Sequence, residues 1–364
     1  MKNLSITIAS TVFVGIFLIS CNMNNPRCEE DYNTRNFHEE PKSELLERTS
    51  WFTDAQYGMF IHFGLYSQLG GVWQGDTLKG RRSAGYSEWI QAHKDISREE
   101  YAPLINTFNP QDFDADFIVK TAKDAGMKYL VVTTKHHEGF CLWESDYTDF
   151  DLSGAPFDRD ILQELADACR KQDIRFGAYY SIIDWNHPSQ ERNVDKQSAW
   201  ERWGQISMVE GRKEEYVTYM KNQLKEIVDN YNPDLLWFDG DWADWWTLED
   251  GIDLYNYLRC LKPEILINNR VAKRYEFLRD YGTPEQFHID SVVDYLWEAC
   301  YTLNTSWGFK YGDDQWKQPD EIYEKLMEIR GFGGNFLLNI GPDGQGRVPE
   351  ESVRILLEVG EMIK

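Results

Sequence analysis

Two rhythms of apolar and polar positions alternate along this chain. Short apolar runs of strand length occur at 57–64, 128–137, 175–181, 235–238, 264–270, 291–297 and 333–341. Between most of them, apolar residues recur at three- and four-residue intervals, which predicts helices over 112–125, 158–171, 213–230, 248–261, 320–330 and 350–362. Punctuation agrees with this division. Gly126 stops the first helix, Lys262-Pro263 stops the fourth, and Asp158 is a candidate cap for the second. Strand and helix taking turns, with connections of helix length, imply parallel pairing. The pattern therefore predicts an α/β fold, a (β/α)8-like (TIM-type) barrel with some irregularity, in preference to an open doubly wound sheet. No Gly-x-Gly-x-x-Gly stretch marks a dinucleotide site.

The 364 residues suffice for one such barrel, which needs roughly 250 residues, plus a leader and insertions. Residues 1–20 have the form of an export signal, with Lys2 before an apolar core. The tetrapeptide Leu18-Ile19-Ser20-Cys21 resembles a bacterial lipoprotein box, which implies a lipid on Cys21 and an exported, membrane-anchored protein, periplasmic or at the cell surface. A plain secretory signal is the alternative. Residues 21–50 are polar and lack an apolar period, so they are expected to be a tether, ending in a short helix over 42–48. Residues 51–364 are the barrel, and no C-terminal β-sandwich is expected in this chain. The irregular stretch from 65 to 89 is too long for a mere connection and is expected to belong to the site.

Charge narrows the ligands. A formal net charge of −23 argues against nucleic acid and against anionic lipid as partners, and favours a neutral ligand. Contact with a membrane is expected only through the Cys21 lipid. Of the six cysteines, Cys21 takes the lipid and Cys28 lies in the tether; Cys141, Cys169, Cys260 and Cys300 are expected to be core thiols. No paired metal motif is present among them, and no metal or other cofactor is expected.

The stretch Asp234-Leu-Leu-Trp-Phe-Asp-Gly240 is the most suggestive for chemistry. A strand ending in a carboxylate aims a charge at the carboxyl end of a parallel sheet, where active sites of such folds lie. The plain alternative is that Asp239 only makes a turn with Gly240 or caps a helix. Other strand ends supply His62, His136, His137, Tyr179, Tyr180, Trp237, Asn268, Asn269 and Arg270. Adjacent histidines in a strand face opposite sides, so His136 and His137 share a pocket only if their strand has already ended. His62 alone, between Ile61 and Phe63, reads more readily as a hydrogen-bonded core histidine. Aromatic residues make up 15% of the chain, and its 14 tryptophans fall largely in irregular connections. As a group they suit a sugar, whose C–H faces stack on rings, although each ring singly reads as packing. Cleaving a glycoside needs a second carboxyl group. Glu285 and Glu298 are the candidates.

Eight motifs then resemble one family. They are Phe60-Ile-His-Phe-Gly64, Tyr86-Ser-Glu-Trp89, Thr134-Lys-His-His-Glu-Gly-Phe140, Phe176-Gly-Ala-Tyr-Tyr-Ser181, Leu236-Trp-Phe-Asp-Gly240, Asn268-Asn-Arg270, Trp297-Glu-Ala-Cys300 and Gly334-Asn-Phe-Leu-Leu-Asn-Ile-Gly-Pro-Asp343. In this order they resemble the α-L-fucosidases of glycoside hydrolase family 29. The resemblance implies a retaining exo-hydrolase that removes terminal α-L-fucose from glycans without a metal. It implies that Asp239 is the nucleophile and that His62, Glu88, Trp89, His136, His137, Tyr179, Trp237 and Arg270 hold the sugar. The acid/base position matches less closely, and by its Thr-Pro-Glu context and its distance after Arg270 it falls on Glu285, with Glu298 as the alternative. Another glycosidase specificity, such as a galactosidase, and a catalytically silent surface glycan-binding protein are the competing functions.

Overall fold

In the computed structural model, which describes residues 36–80, 85–274 and 280–364, the apolar runs pair into one parallel sheet of seven strands. These are β1 (Tyr57–Ile61), β2 (Tyr129–Lys135), β3 (Arg175–Ser181), β4 (Leu235–Asp239), β5 (Leu266–Ile267), β6 (Glu298–Thr302) and β7 (Asn335–Ile340). Their spatial order is β6-β7-β1-β2-β3-β4-β5, and every pairing is parallel. The long helices are α1 (Ala115–Asp124), α2 (Ile161–Gln172), α3 (Lys213–Tyr231), α4 (Leu248–Leu261), α5 (Pro319–Gly331) and α6 (Glu350–Ile363). Each of the first four precedes β2 to β5 in turn, as in the predicted repeat. Asp160, not Asp158, caps α2, accepting from the Gln163 N–H at 2.9 Å.

A two-residue period along the strands sorts side chains into two apolar layers. Met59, Leu130, Val132, Ala178, Tyr180, Leu236, Phe238 and Leu338 pack outward under the helices. Phe60, Tyr129, Val131, Tyr179, Leu235, Trp237, Cys300 and Leu337 fill the interior of the sheet's curl. The inward side of β1 opens with Gly58, because the ring of its neighbour Tyr129 lies where a side chain would be; an added Cβ would come within 2.5 Å of it.

The ring of strands is closed by a segment that is not itself a strand. Between β5 and β6, the Asp280 N–H donates to the Ile267 carbonyl at 3.1 Å and the Asn269 N–H to the Tyr281 carbonyl at 3.0 Å. On its other side the Glu298 N–H reaches the Gly282 carbonyl at 2.9 Å, the Cys300 N–H the Pro284 carbonyl at 3.1 Å, and the Gln286 N–H the Cys300 carbonyl at 2.9 Å. Pro284 has no N–H to give, so a full ladder cannot form there. β5 is short for a related reason. The Asn268 side-chain amide takes over from the backbone, accepting from the Phe238 N–H at 2.9 Å and donating to the Phe238 carbonyl at 3.0 Å.

The predicted strand at 291–297 is not formed, and β6 lies just after it. Its two valines misled the reading, since Val292 is 80% exposed, while the real strand turns Glu298, Cys300 and Thr302 inward and so looks polar. The part of the expected tether from residue 36 is docked on the barrel. Its helix Lys42–Arg48 forms where predicted, and Arg48 is clasped by Glu40 and Asp280, each at 2.7 Å. Glu40 also pairs with Arg259 at 2.8 Å. Cys141, Cys169 and Cys300 are buried free thiols, but Cys260, expected to be a core thiol, is disulfide-bonded. The proposed signal at 1–20 and the Cys21 lipidation site lie outside the described residues. Among the described residues no helix is long and apolar enough to cross a membrane.

Candidate active site

The inward positions at the carboxyl end of the sheet surround a cavity of about 450 Å³. His62 follows β1, His136 and His137 follow β2, Tyr179 lies in β3, Trp237 and Asp239 in β4, and Arg270 follows β5; all line this cavity together with Glu88, Trp89 and Glu285. Of the other candidates, Tyr180 packs outward, Asn268 bonds to the Phe238 backbone and Asn269 accepts from the Thr283 hydroxyl at 2.9 Å, and neither these nor Glu298 lines the cavity. The two histidines share the pocket because β2 ends at Lys135, which frees the backbone to turn both rings inward, with centroids 4.2 Å apart.

Asp239 neither caps a helix nor makes the turn after β4. Gly240 alone turns, at φ 83°, where an added Cβ would sit 2.9 Å from the Ile183 nitrogen. The Asp239 carboxylate is left to face the cavity. Its Oδ1 accepts from Arg270 Nη1 at 2.6 Å and its Oδ2 from the Tyr179 hydroxyl at 3.1 Å, with His137 Nε2 3.7 Å from Oδ2. Burial alone would raise its pKa, but the Arg270 guanidinium, helped by His137 and Arg274, outweighs that and holds it below the usual aspartate value.

Arg270 has a second anion. Its Nη2 meets Glu285 Oε2 at 3.0 Å, while its Nε donates to the Thr283 hydroxyl at 3.0 Å and its plane lies 4.4 Å from the Trp237 ring centre. One buried, planar guanidinium therefore bridges both carboxylates. Their exposures differ, the side chain of Asp239 being 14% exposed and that of Glu285 36%. Glu285 arrives on the closing segment, opposite Cys300, at the level of the cavity.

Glu298 lies one inward position deeper than Cys300, opposite Asn335, and does not line the cavity. It is fully buried and accepts from the Trp237 Nε1–H at 2.8 Å and from the Tyr129 hydroxyl. Burial pushes its pKa up to about 7. Its place is under Trp237, whose ring in turn stacks on Tyr179 at 5.6 Å.

The remaining walls are neutral and hydrogen-bonding. Burial lowers the pKa of His62 to about 3 and of His137 to about 4, and takes His136 well below the ordinary value, so the imidazoles are uncharged at neutral pH. His62 Nδ1 is fixed by Asn339 at 2.6 Å and His137 Nδ1 by Ser181 at 2.7 Å. Glu88 Oε2 accepts from the Gly308 N–H at 2.9 Å, but its buried Oε1 has no hydrogen-bond partner among the described residues. The same is true of His136 Nδ1. Buried polar atoms without partners are uncommon, and both belong to residues that line the cavity.

Sequence reasoning did not single out Phe60, Tyr86, His93, Trp200, Arg274, Cys300 and Trp307 as cavity residues. Phe60 and Cys300 could have been found by counting two positions along a strand. Trp200 and Arg274 belong to irregular connections with no such period. Among the described residues, no group of three or more His, Cys, Asp or Glu side chains gathers to hold a metal ion.

A carboxylate pair joined by one arginine, set in uncharged imidazoles and rings at the mouth of a parallel barrel, is the architecture of a glycoside hydrolase. Comparison with known proteins narrows the class: the family model described as alpha-L-fucosidase matches residues 26–364, and the chain belongs to that family. It is 30% identical to the tissue alpha-L-fucosidase of Bos taurus over 330 residues, which covers 86% of this chain and 67% of the relative. Among solved structures, it resembles alpha-L-fucosidase AlfC from Lactobacillus casei in complex with alpha-L-fucose product, at 36% identity and a TM-score of 0.77. That match covers 87% of this chain and 98% of the other. It also resembles alpha-L-fucosidase isoenzyme 1 from Paenibacillus thiaminolyticus, at 34% identity and a TM-score of 0.75, over 88% of this chain and 76% of that one.

Proposed function

We propose that this chain is a retaining exo-α-L-fucosidase in which Asp239 is the nucleophile and Glu285 the acid/base. Asp239 attacks the anomeric carbon while Glu285 gives its proton to the glycosidic oxygen, so that the sugar bond breaks and a fucosyl ester of Asp239 forms. Glu285 then takes a proton from water, whose oxygen displaces Asp239 and releases fucose with its configuration retained. His62, Glu88, His136 and His137 hold the ring hydroxyls; Trp89, Tyr179 and Trp237 offer apolar surface to its C–H face and methyl group. The observation that carries the reading is the double grip of Arg270, which keeps Asp239 ionised and Glu285 at the same opening. The fully buried position of Glu298 supports Glu285 over it.

The test compares aryl α-L-fucoside with aryl β-D-galactoside. Turnover of the fucoside, with α-L-fucose as the first product seen by NMR, supports the reading; turnover of the galactoside alone overturns it. Asp239→Ala should abolish turnover and leave fucose binding detectable, whereas a silent glycan-binding protein has no turnover to lose. Azide should restore a Glu285→Ala variant through an α-fucosyl azide, because Asp239 still forms the ester that azide displaces, whereas rescue of Asp239→Ala should give the β-azide; if only Glu298→Ala yields the α-azide, the acid/base assignment is wrong. The box at Leu18 to Cys21 supports export and a lipid on Cys21, so Cys21→Ala should move the protein from the membrane to the soluble fraction.

A further inference from the structure

Resting on that reading, we propose that Trp200 is the platform of a leaving-group subsite that accepts a neutral pyranose ring, making this chain selective for fucose attached to another sugar. Among the described large apolar side chains that are exposed, Trp200, at 44%, is the one that lines the cavity. Its position relative to the chemistry follows from a chain of ring contacts. His137 lies against Asp239, the Trp89 ring stands 5.3 Å from that of His137, and Trp200 stacks on Trp89 at 6.0 Å with an interplanar angle of 20°. Trp89 is half-buried and Trp200 exposed, so this line of rings leads from the reacting centre outward. Trp242 completes the corner, 5.5 Å from His137 and 5.1 Å from Trp200.

The surface is built, not incidental. Trp200 opens a π-helical turn, Trp200–Gly204, inside the insertion that follows β3. The ring lies flat on Gly204, where a Cβ would meet its Cε3 at 2.7 Å. The Gly204 carbonyl accepts from the Trp242 Nε1–H at 2.8 Å, and the Trp203 carbonyl from the Trp185 Nε1–H at 2.9 Å. Trp203 Nε1 in turn donates to Asp95 at 2.9 Å. An exposed indole fixed in this way presents a flat apolar face at low ordering cost. Arg274, 44% exposed and paired with Asp241 at 3.0 Å, lines the same opening and supplies a polar edge. A flat apolar face bordered by donors suits a pyranose, with C–H bonds on one face and hydroxyls at its rim, better than an alkyl chain.

The experiment measures kcat/KM for a fucosyl-N-acetylglucosamine disaccharide and for α-L-fucosyl fluoride, which has no second ring, and takes their ratio. Loss of one ring contact should lower the ratio about three- to tenfold in Trp200→Ala. Gly204→Ala, which pushes the indole away without deleting it, should move the ratio in the same direction, and Trp200→Phe should retain most of it. A ratio unchanged in both Trp200→Ala and Gly204→Ala, or equal losses on both substrates, overturns the subsite. Failure of the unaltered protein to hydrolyse the fluoride is a different result, because it overturns the fucosidase reading on which the subsite rests.

Discussion

Asp239 and Glu285 share one guanidinium but not one environment. Asp239 is held by three neighbours at the end of a paired strand, whereas Glu285 has, among the described residues, the one ion pair with Arg270 and is the more open to solvent. Their replacements should therefore behave differently. On the proposed mechanism Asp239→Ala removes the atom that forms the covalent bond, and every fucoside should be affected, with kcat reduced at least about a thousandfold. Glu285→Ala removes only proton transfer, so the loss should be about 10²–10⁴-fold on a sugar leaving group and much smaller on fucosyl fluoride, whose leaving group needs little protonation. Steady-state rates on the two substrates check this, and equal losses in Glu285→Ala would exclude the acid/base role. Much of the cavity's lining was legible from residue types at strand ends, because inward positions recur every two residues. The choice between Glu285 and Glu298 was not, since it depends on depth: both face the interior, one at the opening and one beneath Trp237.

Elements with regular pairing were the easiest to read. β3 and α4 fall on the predicted residues, since each has a clear apolar period and a defined stop. The closing segment was missed because proline and inward polar groups erase its period, and β6 was displaced for a similar reason. What steadies this part of the ring comes from far away in sequence. Asp280, at its start, accepts from Arg48, from the Tyr255 hydroxyl at 2.8 Å and from the Ile267 N–H at 2.7 Å. Arg48→Ala would leave Glu40 and Asp280 without their shared cation in a mostly buried place. The expected loss of stability is about 3 kcal/mol. Urea unfolding should reveal it as a lower midpoint with an unchanged slope, and an unchanged midpoint would show that the segment before residue 50 does not support the barrel.

For the whole molecule, buried carboxyl groups set the response to pH. Burial raises Glu88 and Glu298 to about 7 and Glu138 to about 8. Each keeps its proton in the folded chain where the unfolded chain has lost it, so the stability it contributes is present below the ordinary glutamate pKa and is lost as pH rises through 7 to 8. Asp239 and Asp184 are shifted down, by Arg270 and Lys135 respectively against the effect of burial, and the stability they contribute is lost instead as pH falls below the ordinary aspartate range. The net charge of −23 adds self-repulsion on the alkaline side. Thermal unfolding should accordingly be highest near a mildly acidic pH of about 5 and decline toward 8. Glu298→Gln should flatten that decline, and a melting temperature that climbs steadily from 5 to 8 would contradict the account. The seam that seals the ring has one more effect. It joins its neighbours through scattered backbone bridges, yet it carries Glu285, the proposed acid/base. On warming, such a seam should part before the rest of the circle does, so that activity is lost while the far-UV spectrum still looks native.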